Sequence, residues 1–131
     1  MCTAAQRLAA VAVFAIGSGA CTHMQAPASP GGGVECTLQF VYGLAVTVKD
    51  AATGQNVCDA QVTAVSGSFR ETLPTSPPSA NCGYAGAGER AGVYEVSASK
   101  PGYVPATASN IRVDANECHV IPVPVVLELK K

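Results

Sequence analysis

Residues 119–129 read "HVIPVPVVLEL", and from Ile121 the run alternates over nine residues. Ile121, Val123, Val125, Leu127 and Leu129 fall on one face, with Pro122, Pro124, Val126 and Glu128 opposite. A period of two marks a β-strand with one buried face. A helix is excluded, because two prolines inside it would remove backbone donors and clash with the preceding turn. The prolines also restrict the strand's neighbours. Residues two apart in a strand point their N–H groups to the same side, so Pro122 and Pro124 strip donors from one edge alone. The strand therefore pairs on one side over this stretch, and its other edge is blunted against aggregation.

The same period recurs upstream. In "GLAVTVKD" (residues 43–50) Leu44, Val46 and Val48 share a face against Ala45, Thr47 and Lys49. "DAATGQ" (50–55) supplies Asp, Thr and Gly for a turn. "AQVTAV" (60–65) points Ala60, Val62 and Ala64 inward, and after "SGS" the run "FRETL" can turn Phe69 and Leu73 to the core. "VYEVSAS" (93–99) places Tyr94, Val96 and Ala98 on one face. Pro101-Gly102 suits a type II turn, since Pro presets φ and Gly accepts a positive one. "YVPATASNIRVD" (103–114) then returns, with Ile111 and Val113 late in the run. Hydrophobic residues make up 48% of the 131, yet aromatics are 5% and Trp is absent, so the core is built of Val and Ala. Six or seven short strands with frequent turn signals, and no helix beyond residue 33, predict one β-sandwich domain.

The first 20 residues are set apart from that domain. "MCTAAQR" carries Arg7, "LAAVAVFAI" (8–16) is a short apolar core, and "GSGA" supplies small residues before Cys21. This order predicts a secretory signal peptide over 1–20. Its apolar core falls well short of the roughly 20 residues a transmembrane helix needs. Gly19 and Ala20 directly before Cys21 look like a bacterial lipobox, in which the Cys becomes the lipidated N-terminus. Ser18 stands where an aliphatic residue is usual, and Ser18 and Ala20 equally suit ordinary signal cleavage at the same bond. Cysteine parity favours the lipid: cleavage leaves Cys21, Cys36, Cys58, Cys82 and Cys118, an odd set for an oxidising compartment, whereas lipidating Cys21 leaves an even one. "THMQAPASPGGG" (22–33) then reads as a flexible tether, about 20 Å in mean reach. Thr22 after the anchor Cys, rather than the Asp associated with inner-membrane retention, points to the outer membrane of a Gram-negative bacterium. Ordinary cleavage would instead give a periplasmic or secreted protein.

Charge and chemistry narrow the function. A net charge of -1 lacks the basic footprint of a nucleic-acid binder. His23 lies in the tether without partner ligands, and His119 is the only imidazole beyond it. No metal site, cofactor or catalytic set is expected, and the protein is not expected to be an enzyme. The stretch "PTSPPSANCGYAGAGER" (74–90), within a loop reaching to residue 92, is the candidate binding element, with "GYAGA" as a short strand near Tyr84. Tyr84 and Arg90 are residue types that anchor interfaces, and Glu89-Arg90 reads as a solvated ion pair. The ligand class would be a carbohydrate or a partner protein.

The order "LAVTVKDAATGQNVCDAQVTAV", "GVYEVSASKPGYVPATASNIRV" and an alternating terminal strand resembles the carboxypeptidase regulatory-like domain. Val48-Lys49-Asp50, Gly54, Ala60-Gln61-Val62, Gly92-Val93-Tyr94 and Pro101-Gly102-Tyr103 match that family's recurring elements. The resemblance covers about residues 44–129 and implies a seven-stranded transthyretin-like (prealbumin-like) sandwich over 34–131. It also implies a generally non-catalytic module. The four domain cysteines and the 74–92 loop depart from the family pattern.

Four cysteines allow three pairings. The tight turn at Ser66-Gly67-Ser68 brings the end of "FRETL" back beside the start of "AQVTAV", so Cys82 can approach Cys58. That leaves Cys36 for Cys118, a pairing that the transthyretin-like resemblance allows by placing the first and last strands in one sheet.

Overall fold

The computed structural model describes residues 32–75 and 81–131. The signal segment, Cys21 and most of the tether lie outside the described residues. The compact unit Gly33–Lys131 is all-β. Its strands are β1 (Tyr42–Asp50), β2 (Gln61–Ser66), β3 (Phe69–Leu73), β4 (Tyr84–Gly88), β5 (Gly92–Ser99), β6 (Ala106–Val113) and β7 (Val123–Leu129). They form a three-stranded sheet in the order β4-β1-β7 and a four-stranded sheet in the order β3-β2-β5-β6. The fold is a seven-stranded β-sandwich, with no helix among the described residues.

Alternation builds the core. From the small sheet Leu44, Val46, Val48, Tyr84, Val125, Leu127 and Leu129 point inward. They meet Val62, Ala64, Leu73, Tyr94, Val96, Ala98 and Val113 of the large sheet. β1 and β7 run parallel, so Val46 lies beside Val125 and Val48 beside Leu127, and the pair reads as one apolar layer. The two sheets approach closely at Gly43, where a Cβ would lie 2.6 Å from Val113 Cγ1.

β7 pairs with β1 alone in its sheet. Leu129 O accepts the Ala51 N–H at 2.9 Å, whereas Lys130 O accepts the Val104 N–H at 2.7 Å on the opposite side. Odd residues thus face β1 and even residues face away, which puts the donor-less nitrogen of Pro124 on the free edge.

Two strands differ from the sequence expectation, β7 and β6. β7 begins at Val123, and Ile121 is 49% exposed while Val120 is buried. The cause is a local turn: Ile121 N–H donates to Asp114 O at 2.8 Å and Ala115 pairs with Val120, so the chain reaches β7 with Val120 inward. In β6 the inward set changes parity, from Ala106 and Ala108 to Ile111 and Val113. The register against β5 shifts by one between Tyr94 and Val96, and Asn110 sits at φ 58°. This β-bulge absorbs one residue and re-aims the rest of the strand.

The β5–β6 hairpin turns at Pro101-Gly102, with Gly102 at φ 85° and Tyr103 N–H donating to Lys100 O at 3.1 Å. Tyr94 is a core residue whose hydroxyl donates to Arg90 O at 3.0 Å.

Candidate functional site

The 74–92 stretch is more ordered than a binding loop. Residues 76–80 lie outside the description, but Tyr84–Gly88 is strand β4, paired antiparallel with β1, and Gly92 opens β5. Thr75 bridges to Tyr84, and Ala85 N–H donates to Pro74 O at 3.3 Å. The base of the stretch is fixed by Cys58–Cys82, with Cα atoms 5.2 Å apart.

Tyr84 is not available to a ligand, because its side chain lies in the core at 2% exposure. Its hydroxyl donates to Val57 O and accepts from Ala60 N–H, both at 2.9 Å. Burial raises its pKa above the ordinary phenol value. The group is a protonated tie between β4 and the segment leading into β2, beside the disulfide.

Glu89 and Arg90 do not pair with each other. Arg90 places its guanidinium 4.2 Å from the Phe69 ring centroid. Glu89 turns the other way. Ala87 and Glu89 sit at φ 53° and 48°, which curls the end of β4. The curl lets Glu89 grip Val41 twice: its N–H donates to Val41 O at 2.9 Å, and its Oε1 accepts the Val41 N–H at 2.8 Å. Oε1 also lies 2.8 Å from His119 Nδ1, and His119 Nε2 lies 3.1 Å from Thr37 Oγ1. An ionised carboxylate has no proton to give, so Nδ1 carries the hydrogen; in the neutral ring Nε2 then accepts from the Thr37 hydroxyl. The Val41 N–H bond, more than the His119 contact, holds the Glu89 carboxyl below its ordinary pKa, against the opposing effect of desolvation.

This chain of bonds sits beside the second disulfide, Cys36–Cys118, whose Cα atoms are also 5.2 Å apart. His119 is set by an Asx turn: Asn116 Oδ1 accepts the N–H groups of Cys118 and His119, each at 2.9 Å. His119 is thus the hub joining the 36–41 segment to the 114–120 turn and the end of β4. Nothing in the sequence pattern linked Thr37, Glu89 and His119. The available signal was their adjacency to Cys36 and Cys118, which any bridge between those two brings together.

A polar hollow of about 300 Å³ lies at the other end of β1, among Asp50, Asn56, Asp59, Lys100, Tyr103 and Lys131. Asp50 accepts from the Tyr103 hydroxyl at 2.7 Å and from the N–H groups of Ala52 and Thr53 at 2.8 and 3.1 Å. The Tyr103 bond is the main reason its carboxyl is held below the usual value, helped by Thr53 and Ala52. Lys100 pairs with Asp59 at 2.6 Å, which lowers the acid and raises the amine. These acids already have partners: Asp50 ties the turn after β1, and Asp59 the approach to β2, to the β5–β6 hairpin.

No group of three or more His, Cys, Asp or Glu side chains placed to hold a metal occurs among the described residues. No family model matches the chain, and no curated protein matches it in sequence.

Proposed function

We propose that the protein is a non-catalytic, lipid-anchored component of the bacterial cell envelope whose one domain is a carboxypeptidase regulatory-like sandwich with a structural or interaction role. The supporting observation is cysteine pairing. Cys36–Cys118 and Cys58–Cys82 use all four domain cysteines, so none remains to pair with Cys21. A lone Cys directly after Gly19-Ala20 and an apolar core is placed for acylation rather than for a bridge. The neighbouring first and last strands fit the transthyretin-like resemblance. The outer membrane remains the favoured site. In phase partition the mature protein is expected in detergent with a diacylglyceryl mass on Cys21, and Cys21→Ala is expected in the aqueous phase. A soluble wild type beginning at an unmodified Cys21 overturns the anchor.

The non-catalytic reading has its own test. The order Thr37–His119–Glu89 is hydroxyl, imidazole, carboxylate, the order used in acyl-transfer relays. Here each member ties down a different stretch of chain. Wild type and His119→Ala are expected to hydrolyse an activated aryl ester equally slowly. A clear excess in the wild type would show that the relay turns over substrate.

A second reading, a binding module for carbohydrate or protein, is favoured by Arg90. It is exposed and held over Phe69, next to exposed Ala91 and half-exposed Val93. Glycan and envelope-protein binding screens, repeated with Arg90→Ala, separate this reading from a purely structural role.

A further inference from the structure

Val34, Leu38, Phe40 and Tyr42 are all exposed, and Leu38 is exposed completely. Exposed large apolar residues occur singly on most proteins, but four within nine residues of one segment are unusual. Phe40 and Tyr42 lie on the same side of the chain, with ring centroids 5.2 Å apart in an edge-to-face contact. Phe40 rests on Gly88, where a Cβ would come within 2.2 Å of its ring.

The segment is not a loose end. Cys36 is bridged to Cys118, Thr37 meets His119, and Val41 is bonded in both directions to Glu89. Four attachments hold the backbone on either side of Leu38 and Phe40 while those side chains face water. Such pinning removes the conformational entropy that an extended segment would lose on docking.

The position of this segment selects its partner. Only residues 22–33 separate Val34 from Cys21. Twelve residues reach at most about 40 Å in any conformation, on the order of one diameter for a domain of this size. A surface so tethered sees the bilayer at an effective concentration in the millimolar range, so a small apolar patch suffices. Phe, Tyr and Leu are also the side chains suited to the headgroup boundary of a bilayer.

We infer that Leu38, Phe40 and Tyr42 form a membrane-resting face that seats the sandwich on the bilayer to which Cys21 anchors it. The inference rests on the lipid-anchor reading for its geometry but can be separated from it. The chain contains no Trp, so Leu38→Trp is a single probe at a position with no packing to lose. Ala52→Trp, in the exposed turn after β1, is the control, roughly 25 Å away by strand rise.

In the full lipidated chain reconstituted into phosphatidylcholine brominated on its acyl chains, Trp at 38 is expected to be quenched and blue-shifted, and Trp at 52 is not. In the unlipidated Cys21→Ala chain, added vesicles of the same lipid are expected to quench Trp at 38 saturably. Phe40→Ser should weaken that binding by about tenfold or more. Saturable quenching in the unlipidated chain, together with a wild type whose Cys21 carries no diacylglyceryl mass, would keep the face and discard the anchor. Equal emission at 38 and 52 in both chains overturns the inference. So does a blue shift at 38 that grows with protein concentration without lipid, which would make the patch a contact between copies of the chain.

Discussion

A phenol buried in a sandwich has to satisfy its hydroxyl, and Tyr84 does so with Val57 O and Ala60 N–H. Tyr84→Phe keeps the ring and strands both backbone groups, a loss of about 1–3 kcal/mol. The urea midpoint should fall accordingly, and an unchanged midpoint would mean that water replaces the hydroxyl without cost. Residue type alone made Tyr84 look like an interface anchor. Its position was the better guide: it lies two residues after Cys82, and a disulfide that draws Cys82 to Cys58 carries Tyr84 into the space beneath β2. Tyr94 was legible for the opposite reason. It falls in phase with Val96 and Ala98, and the alternating pattern alone puts it in the core. Val57 and Val120 were invisible to that pattern: Val57 is a lone buried valine in a non-repeating stretch, and Val120 is out of phase with the alternation that starts at Ile121.

At the scale of elements, alternation located β1, β2, β5 and β7 well, since a one-residue slip would turn every apolar side chain to water. It failed where the backbone breaks period. Asn110 adds a residue to β6, so Ala106 and Ala108 belong to one phase and Ile111 and Val113 to the other. An L-residue at φ 58° is tolerated best as Gly or Asn. Asn110→Gly is therefore expected to be nearly neutral, and Asn110→Val to cost about 1–2 kcal/mol, read from thermal or urea unfolding. Equal effects would place the strain elsewhere.

The end of β4 makes a second prediction at the same scale. The Glu89 carboxyl is held low chiefly by the Val41 N–H, so its folded pKa lies below its unfolded one. The stabilisation is fully present above the unfolded value and is lost as pH falls through the folded one. Groups facing that carboxyl are the N–H groups of Val41 and Val120 and the His119 ring. The Val41 amide shift should therefore titrate with a midpoint below 4.5, the ordinary value, and Glu89→Gln should abolish that step. A midpoint at or above 4.5 would show that Val41 does not hold the carboxylate in solution.

For the whole molecule, the two disulfides do different work although both close long loops. By loop-closure entropy alone, Cys36–Cys118 spans 82 residues and is worth about 4.5 kcal/mol. Cys58–Cys82 spans 24 and is worth about 3.5 kcal/mol on the same basis. The native state changes that order. Cys36 lies ahead of β1, on a segment held otherwise by Thr37 and Val41. Without its bridge that segment can fray while both sheets persist, and the entropy recovered by the fraying chain offsets part of the loss. Cys58–Cys82 has no such outlet. It joins the approach to β2 to the approach to β4, directly over Tyr84, and those stretches cannot separate while the two sheets stay packed. Replacing Cys58 and Cys82 together by Ala is thus expected to lower the global unfolding free energy at least as much as replacing Cys36 and Cys118. The second variant should instead lose amide protection first at residues 36–41, with the β2–β5 ladder still protected. A Cys36/Cys118 variant several kcal/mol less stable than its counterpart, with protection lost everywhere at once, would make the N-terminal segment an integral part of the folding unit.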